Sequence, residues 1–216
     1  PLCNSVSREA SLIGAVNTIA FNNEGRRGYN TDGPGFAAAL KEEICFNFSG
    51  SRVAVIGAGG AGRASAVQTV LEGAGEVLLS DIDRNKAQRL AAWIRERLPR
   101  TPVRTFFPDD TDWEDRLAGC DLVVDATPLG LKETDPLSFD PSLLSTDTAV
   151  MDLVYNPPRT PLLKKVEEGG GTAVNGLGML IHQAALAFEV WTGEEAPVDV
   201  MRSAAEEALY GNPKPE

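Results

Sequence analysis

The sequence lacks the features that define several classes of protein. No apolar run in its 216 residues approaches the roughly 20 residues that a membrane-spanning helix needs. The first residues, Pro1 to Asn4, have neither the basic start nor the apolar core of a secretion signal. They also lack an initiating Met, which is typical of a chain cut at its front. We therefore expect a cytoplasmic protein whose N-terminal segment is missing.

Reactive and metal-binding side chains are scarce. Cys3, Cys45 and Cys120 form neither a CxxC pair nor a zinc spacing, so we expect free thiols in a reducing compartment. His182 is the only histidine, which leaves a metal centre or a Ser/His triad poorly supplied. We predict no metal site, and we interpret His182 as a solvated helix residue.

Positive charge is also in short supply. The chain has 20 Lys and Arg against 31 Asp and Glu, a net charge of −11. This balance repels phosphate backbones and anionic membranes, which argues against nucleic acid or a membrane as partner. Local backbone dipoles can still attract an anionic small molecule. We expect a small-molecule substrate, and a homodimer stays open as an oligomeric state.

Strand and helix patterns alternate through the middle of the chain. Strands are predicted at 53–56, 77–80, 103–106, 122–125, 149–152 and 172–174, with helices at 61–71, 84–98 and 161–168. This alternation predicts an α/β fold with a Rossmann-like, doubly wound parallel sheet. We assign residues 31–175 to this nucleotide-binding domain, and residues 1–30 with 176–216 to an incomplete α/β substrate-binding domain.

The outer segments carry their own elements. Residues 15–29 predict a β-hairpin with its turn at 22–25, and Thr31 predicts the N-cap of the helix that follows. Two further helices are predicted at 178–191 and 198–209, and the tail 211–216 is expected to fray.

A glycine-rich loop is the strongest local signal. Residues 57–62 match GxGxxG between a predicted strand and a predicted helix. Gly57 permits the tight turn, and Gly62 allows the helix to pack closely on the strand. Gly59 leaves room for a diphosphate to approach the backbone amides of the loop, including those of Gly60 and Ala61. The alternative is a tight turn without a ligand; the flanking pattern favours dinucleotide binding.

Asp81 bears on which dinucleotide is bound. It ends the second predicted strand, about 20 residues past the loop, where an acidic residue accepts hydrogen bonds from the ribose 2′-hydroxyl and repels a 2′-phosphate. The sequence therefore favours NAD over NADP. Arg63 and Arg84 argue the other way, because either side chain is able to meet a phosphate, and an ordinary solvated Asp81 is the remaining alternative.

Six motifs occur together and in order. They are Gly14–Thr18 (GAVNT), Asn30–Gly33 (NTDG), Gly57–Gly62, Ala126–Gly130 (ATPLG), Tyr155–Pro157 (YNP) and Gly178–Gln183 (GMLIHQ). The set resembles shikimate dehydrogenase and its quinate/shikimate relatives over nearly the whole chain. The resemblance implies an NAD(P)-linked oxidoreductase of aromatic amino acid biosynthesis that interconverts shikimate and 3-dehydroshikimate.

The resemblance also implies residue roles. Asn17 and Asp32 would bind the substrate hydroxyls, Gln183 and Tyr155 would close over the substrate, and Asp32 would be the carboxylate of a Lys–Asp catalytic pair. Such an acid/base is needed because a proton leaves the hydroxyl as hydride leaves the carbon.

Four further residues would border the nicotinamide: Ala126, Thr127, Gly176 and Met179. Taken singly, each motif has a structural alternative: a helix cap at 30–33, a satisfied strand residue at position 17, a turn at 155–158, and a solvated helix residue at position 183. Their joint occurrence favours function.

The chain departs from the family pattern at its start. The Pro-His-Lys motif that carries the catalytic Lys is absent, and Lys41 does not match it. We therefore expect exposed apolar surface or an unpaired strand edge in the second domain, together with cofactor binding but slow turnover of shikimate. A quinate or aminoshikimate dehydrogenase, a non-catalytic dinucleotide-binding module and one part of a multi-enzyme fusion stay open.

Overall fold

The computed structural model of the chain describes residues 2–23 and 25–211. Glu24, inside the predicted turn, and residues 212–216 of the tail expected to fray lie outside the described residues. No helix of the described part is long and apolar enough to cross a membrane. Within the same residues, no group of three or more His, Cys, Asp or Glu side chains is arranged to hold a metal ion.

The N-terminal part forms a small sheet. Strand β1 (Ser5–Val6) pairs in parallel with β3 (Gly25–Tyr29), and β3 pairs antiparallel with β2 (Thr18–Asn22). Helix α1 (Arg8–Ile13) follows β1, and helix α2 (Asp32–Ile44) follows β3. The predicted hairpin and α2 are confirmed. The pattern does not predict β1 or α1, because two and six residues are too few for a clear periodicity.

The middle of the chain forms a six-stranded sheet flanked by helices. Its elements are β4 (Arg52–Ile56), α3 (Gly60–Leu71), β5 (Glu76–Ser80), α4 (Arg84–Arg97), β6 (Val103–Thr105), α5 (Trp113–Ala118), β7 (Leu122–Asp125), a 3-10 turn (Pro141–Leu143), β8 (Ala149–Asp152), α6 (Pro161–Glu168) and β9 (Thr172–Asn175). All strands are parallel, in the order β6-β5-β4-β7-β8-β9. The predicted doubly wound fold is confirmed. The order reverses between β4 and β7, where such sheets open a crevice for ligands.

Both faces of this sheet are buried. Along β4, Val53 and Val55 belong to one apolar core, and Ala54 and Ile56 belong to the other. Successive residues of a strand point to opposite faces, so a short continuous apolar run fits a strand covered on both sides. The predicted apolar face of α4 is buried as well.

Two helices complete the chain, α7 (Leu177–Thr192) and α8 (Val198–Tyr210). Helix α2 packs on both α3 and α7, and α7 packs on α8 and β2. The approach of α2 to α7 is close: a Cβ added to Gly35 would lie 2.7 Å from the backbone nitrogen of Gln183. The pair α2 and α7 therefore joins the small sheet to the large one.

Apolar side chains are exposed around the small sheet. Leu2 is 79% exposed and Phe21 is 77% exposed, and β1 forms a two-residue edge. The division of the chain into domains at residues 30–31 and 175–176 stays a prediction.

Candidate functional site

Two glycines make the turn from β4 into α3. Gly57 has φ +104°, and a Cβ there would lie 2.6 Å from the carbonyl oxygen of Ala126, which follows β7. A Cβ on Gly62 would lie 1.8 Å from the carbonyl oxygen of Gly57. No side chain fits either position. The loop thus brings the first turn of α3 against the carboxyl ends of the two strands at the switch point.

The outer part of the loop is open. A Cβ on Gly59 or Gly60 would have no protein atom within 4 Å, and Ala61 is exposed. Gly59 is the N-cap of α3 and supplies no side-chain hydrogen bond to it. The first amides of a helix have no partners within the helix, and its positive dipole end favours an anion. The arrangement fits a diphosphate that lies against the backbone.

A cavity of about 770 Å³ opens beside this loop. Its lining includes Gly57, Gly59, Asp81, Phe107, Pro108 and Thr127. This size suits a nucleotide or a small cofactor. Phe107 and Pro108 are absent from the sequence prediction. They follow β6, and the rule that carboxyl ends of parallel strands share one edge would have found them once the strand order was known.

Asp81 joins two parts of this edge. Its Oδ2 accepts a hydrogen bond from the backbone amide of Ala58 at 2.7 Å, and its Oδ1 accepts one from the amide of Asp83 at 2.8 Å. A carboxylate has about four lone-pair directions, so each oxygen can accept a further bond from a ligand. Asp81 therefore supports the glycine loop and still borders the cavity.

The two arginines considered for a phosphate lie in different places. Arg63 donates to the carbonyl oxygen of Ile13 at 3.0 Å, so its charge is directed to α1 and it does not line the cavity. Arg84 lines the cavity, stacks over the Phe107 ring at 4.2 Å and pairs with Asp109. Of these two cations, only Arg84 borders the cavity.

Asn17 and Asp32 form a hydrogen-bonded polar pair at one end of the small sheet. The Asn17 Nδ2 donates to Asp32 Oδ1 and to Thr31 Oγ1, both at 2.9 Å. The Asn17 Oδ1 accepts the backbone amide of Thr31 at 3.0 Å. The side chain of Asn17, just before β2, therefore fixes the start of α2. Asp32 Oδ2 makes no hydrogen bond within residues 2–23 and 25–211.

The predicted N-cap position of α2 is confirmed, but the capping hydrogen bonds come from a different side chain. Thr31 occupies the N-cap position, but its side chain makes no capping bond. Instead, Asn30 Oδ1 accepts the amides of Asp32 at 3.1 Å and Gly33 at 3.3 Å. The Thr31 hydroxyl oxygen accepts a hydrogen bond from Asn17, so Asn30 makes the capping bonds in place of Thr31. Consequently, the Asp32 carboxylate is not needed as a cap.

Gln183 and Tyr155 approach from α7 and from the loop after β8. The backbone of Gln183 lies against Gly35, one turn along α2 from Asp32, and its Nε2 donates to the carbonyl of Leu180 at 3.0 Å. The structure therefore brings Asn17, Asp32 and Gln183 to the same end of α2. Tyr155 is tied to α8, since its carbonyl accepts the Tyr210 hydroxyl at 2.5 Å.

His182 is not a freely solvated residue, contrary to the sequence interpretation. Its side chain is only 16% exposed and its Nε2 pairs with Glu42 on α2. Arg202 on α8 pairs with the same carboxylate at 2.7 Å. The hydrogen bond from His182 lowers the pKa of Glu42, whereas burial raises the pKa of neighbouring Glu43. Glu42 thus links three helices, because its carboxylate on α2 pairs with His182 on α7 and with Arg202 on α8.

Two buried aspartates hold the loops after β7 and β8. Asp125 accepts the amide of Thr127 at 2.9 Å, and Asp152 accepts the Thr160 hydroxyl at 2.7 Å and the amide of Val154 at 2.9 Å. Burial raises the pKa of Asp125 and raises that of Asp152 to about 6. The segment that begins at Ala126 is thereby fixed beside the glycine loop.

The start of α7 also lies close to the loop after β8. A Cβ on Gly176 would lie 2.1 Å from the carbonyl oxygen of Leu153, so only glycine fits there. The Met179 side chain is 8% exposed and belongs to the apolar core, which leaves its backbone as the part able to border a ligand.

Comparison with known proteins identifies the family. A model of the shikimate 5'-dehydrogenase C-terminal domain matches residues 176–206. Shikimate dehydrogenase (NADP(+)) of Methanopyrus kandleri is 46% identical over 210 residues, which cover 96% of this chain and 72% of that protein.

Two solved structures have the same fold. Shikimate 5-dehydrogenase from Listeria monocytogenes, in complex with shikimate and NAD, has a TM-score of 0.88 at 32% identity and covers 94% of this chain and 72% of its own. Quinate dehydrogenase from Corynebacterium glutamicum, in complex with NAD, has a TM-score of 0.87 at 37% identity and covers 95% and 72%. Sequence identity and fold agree over nearly all of this chain. The chain therefore belongs to the shikimate dehydrogenase family.

Proposed function

We propose that this protein transfers hydride reversibly between shikimate and a nicotinamide dinucleotide, forming 3-dehydroshikimate. One observation carries the proposal: Asn17 holds one oxygen of Asp32, and the other oxygen has no hydrogen-bond partner among the residues that the structure describes. The structures of relatives with shikimate and NAD bound support the same reaction class.

A bound dinucleotide would place its diphosphate on the glycine loop. The open backbone at Gly59 and Gly60 and the first amides of α3 would hold the diphosphate, and the cavity beside Asp81 would hold the adenosine half. Ala126, Thr127 and the backbone at Gly176 and Met179 border the nicotinamide half. When bound, the nicotinamide accepts or returns the hydride.

We assign NAD as the preferred dinucleotide. The Asp81 carboxylate borders the cavity, where its charge would repel a 2′-phosphate and its free lone pairs would accept ribose hydroxyls. Arg63 faces α1, which removes one of the two cations that favoured NADP. Arg84 at the cavity and the NADP(+) in the name of the Methanopyrus relative argue for the alternative. Measured affinities for the two dinucleotides decide between them.

Asp32 is the proposed acid/base carboxylate. Because Asn17 donates to Oδ1, the carboxylate cannot rotate freely, and Oδ2 is available to a substrate hydroxyl. A proton must leave that hydroxyl as hydride leaves its carbon, so a carboxylate held in one orientation assists both events. Asn17, Gln183 and Tyr155 bind the remaining polar groups. A site built from such groups rejects rings that lack hydroxyls.

The proposal assigns the two functions to two domains of the chain. Residues 31–175 form the nucleotide-binding domain, and residues 1–30 with 176–216 belong to the substrate-binding domain. The parallel sheet within 52–175 and the separate sheet within 5–29 support this division.

Quinate is the second candidate substrate. The observation that supports it is the 37% identity to the Corynebacterium quinate dehydrogenase in complex with NAD, whereas the 46% identity to the Methanopyrus shikimate dehydrogenase places shikimate first. Both acids present neighbouring hydroxyls on a ring, so the same polar residues would hold either one.

The deciding experiment measures oxidation of shikimate and of quinate, each with NAD and with NADP, next to calorimetric titration of both dinucleotides. We expect NAD to bind and shikimate to be oxidised. Binding of NAD without oxidation of either acid would favour a non-catalytic dinucleotide-binding module. Absence of heat with either dinucleotide would contradict the whole proposal.

A further inference from the structure

Two side chains of the nucleotide-binding part hold the C-terminal end of α1. Arg63 on α3 donates from Nη1 to the carbonyl oxygen of Ile13 at 3.0 Å. Trp93 on α4 donates from Nε1 to the carbonyl oxygen of Leu12 at 2.6 Å. The last carbonyls of a helix lack partners within the helix, and a cation there also meets the negative end of its dipole. We name Arg63 and Trp93 the α1 clamp.

The clamp is a stacked unit. The Arg63 guanidinium lies 5.3 Å from the centre of the Trp93 ring, and the Arg97 guanidinium lies 3.3 Å from it. Arg63 is partly buried, and that burial together with the charge of Arg97 lowers its pKa. The described contacts of Arg97 are with Trp93 and Glu96, so it stacks on the clamp without holding α1. Arg97 is therefore a natural control for Arg63.

The clamp contacts the chain segment that immediately precedes the proposed substrate residues. Gly14 ends α1 with φ +76°, and a Cβ there would lie 3.0 Å from the Trp93 ring. Three residues later comes Asn17, which holds Asp32. In the other direction, Arg63 lies in the first turn of α3, and its own amide bonds the carbonyl of Gly59 at 2.9 Å. A continuous path of contacts thus joins the glycine loop to Asp32.

We propose that Arg63 and Trp93 are positioning residues, which set where the Asn17–Asp32 pair lies relative to the dinucleotide. The inference rests on the proposed function. A dinucleotide that orders the first turn of α3 would order the 14–18 segment through the clamp. Reacting groups must be held within a fraction of an ångström, so a loose 14–17 segment slows hydride transfer without weakening dinucleotide binding.

Hydrogen exchange tests the physical claim. The amide of Asn17 bonds the carbonyl of Tyr29 at 3.0 Å, and Thr18 pairs with Tyr29 in the sheet, so both report opening of this segment. In the unaltered chain, saturating NAD is expected to slow their exchange about tenfold. In Arg63→Met and Trp93→Phe, NAD should bind within about threefold of the same affinity without slowing exchange, whereas Arg97→Met should behave like the unaltered chain.

Turnover tests the catalytic claim. Arg63→Met is expected to lower kcat for shikimate oxidation about tenfold or more, while KM for NAD changes less than about threefold. Arg63→Lys should restore part of the lost kcat, because an ammonium can donate to a helix carbonyl but lacks the planar fork. Trp93→Phe keeps most of the aromatic ring and removes only the N–H donor. It therefore tests the inference independently if the Arg63 variant fails to fold.

Three results would overturn the inference. They are NAD-dependent slowing that persists in Arg63→Met and Trp93→Phe, an unaltered chain that binds NAD without slowing, or variants that lose stability while kcat and KM stay unchanged. An unaltered chain that fails to bind either dinucleotide contradicts the proposed function, and the inference falls with it. That failure is distinct, since it appears before any variant is made.

Discussion

A single amide side chain, that of Asn17, organises the proposed substrate side of the site. It donates to Thr31 and Asp32 from one atom and accepts the Thr31 amide with the other. An aspartate at position 17 could accept but not donate, and its charge would repel Asp32. The local geometry therefore depends on an amide at position 17 and a carboxylate at position 32.

Asp32→Asn separates catalysis from helix capping. We expect kcat for shikimate oxidation to fall by about 10² to 10⁴, because the acid/base is lost, while NAD affinity stays nearly unchanged. Folding should be retained, since Asn30 makes the capping bonds of α2. Steady-state kinetics, calorimetry and thermal unfolding measure the three quantities.

The matched control is Asn30→Ala, which should lower the free energy of unfolding by about 1 kcal/mol through loss of the cap. If Asp32→Asn fails to fold while Asn30→Ala unfolds like the unaltered chain, the carboxylate is a structural cap and its proposed role is wrong.

Asp81→Asn tests the choice of dinucleotide. Removing this charge should shift the ratio of NADP to NAD affinity toward NADP by about tenfold, equivalent to about 1.4 kcal/mol. Calorimetric titration with both dinucleotides measures the ratio. Asp83→Asn is the control: it removes an equal charge two residues away, and asparagine caps α4 as well as aspartate does. An equal shift in both variants would assign the effect to general charge instead of to Asp81.

The ends of β7 and β8 carry the buried aspartates, Asp125 and Asp152, side by side in register. Each accepts a backbone amide two residues on and a hydroxyl from the far end of its loop, Ser138 or Thr160. Two strand termini thus hold two loops that border the proposed nicotinamide site. The cost of this arrangement is the desolvation of two carboxylates.

Asp152 should make stability depend on pH. Burial raises its folded pKa to about 6 from an ordinary 3.8, so the folded state binds its proton more tightly. The stabilisation is complete below about pH 4 and is lost as pH rises through 6, a change on the order of 3 kcal/mol. In Asp152→Asn the amide oxygen still accepts the Val154 N–H, the amide nitrogen donates to the Thr160 hydroxyl oxygen, and the titration is removed. The variant should therefore gain stability relative to the unaltered chain between pH 4 and pH 7, measured by denaturant unfolding.

Asp125 contributes a dependence of the same sign, which persists in the Asp152 variant because burial raises its pKa as well. The difference between the two proteins reports the titration of Asp152 together with its charge interaction with Asp125. A difference that stays constant from pH 4 to pH 7 would show that Asp152 titrates alike in the folded and unfolded chains.

An element is predictable from the sequence when the pattern that defines it lies within one short segment. The buried strands and α4 are predictable, because a continuous apolar run or an apolar face lies within one segment. Helix α5 is not, since it is six residues long and is held by Trp113 stacking on Phe106 at 4.4 Å. The glycine loop is likewise local. The α1 clamp joins Arg63 to a carbonyl 50 residues away, and no spacing rule predicts it.

The two sheets are joined through α2 and α7. Helix α2 starts at Asp32 beside the small sheet and packs along α3, while α7 reaches back so that Trp191 donates to the carbonyl of Ile19 in β2 at 3.1 Å. Glu42 on α2 pairs with His182 on α7 and with Arg202 on α8. The α1 clamp on one side and this helix packing on the other therefore connect the glycine loop to the proposed substrate residues.

Gly35→Ala tests that packing. The added Cβ would lie 2.7 Å from the backbone nitrogen of Gln183, so α7 has to move away from α2. Overpacking of this kind costs about 1–3 kcal/mol of folding free energy. Because Gln183 moves with its helix, KM for shikimate should rise more than KM for NAD, which binds at the other end of the path.

The control for Gly35→Ala is Gly119→Ala. There a Cβ would lie 2.7 Å from Arg52 Nη1, the end of a flexible side chain, and no backbone atom is closer than 3.4 Å. Gly119→Ala should change both KM values little. A Gly35→Ala variant that loses stability while both KM values stay unchanged would mean that the packing of α2 on α7 contributes stability alone and does not set the geometry between the two proposed sites.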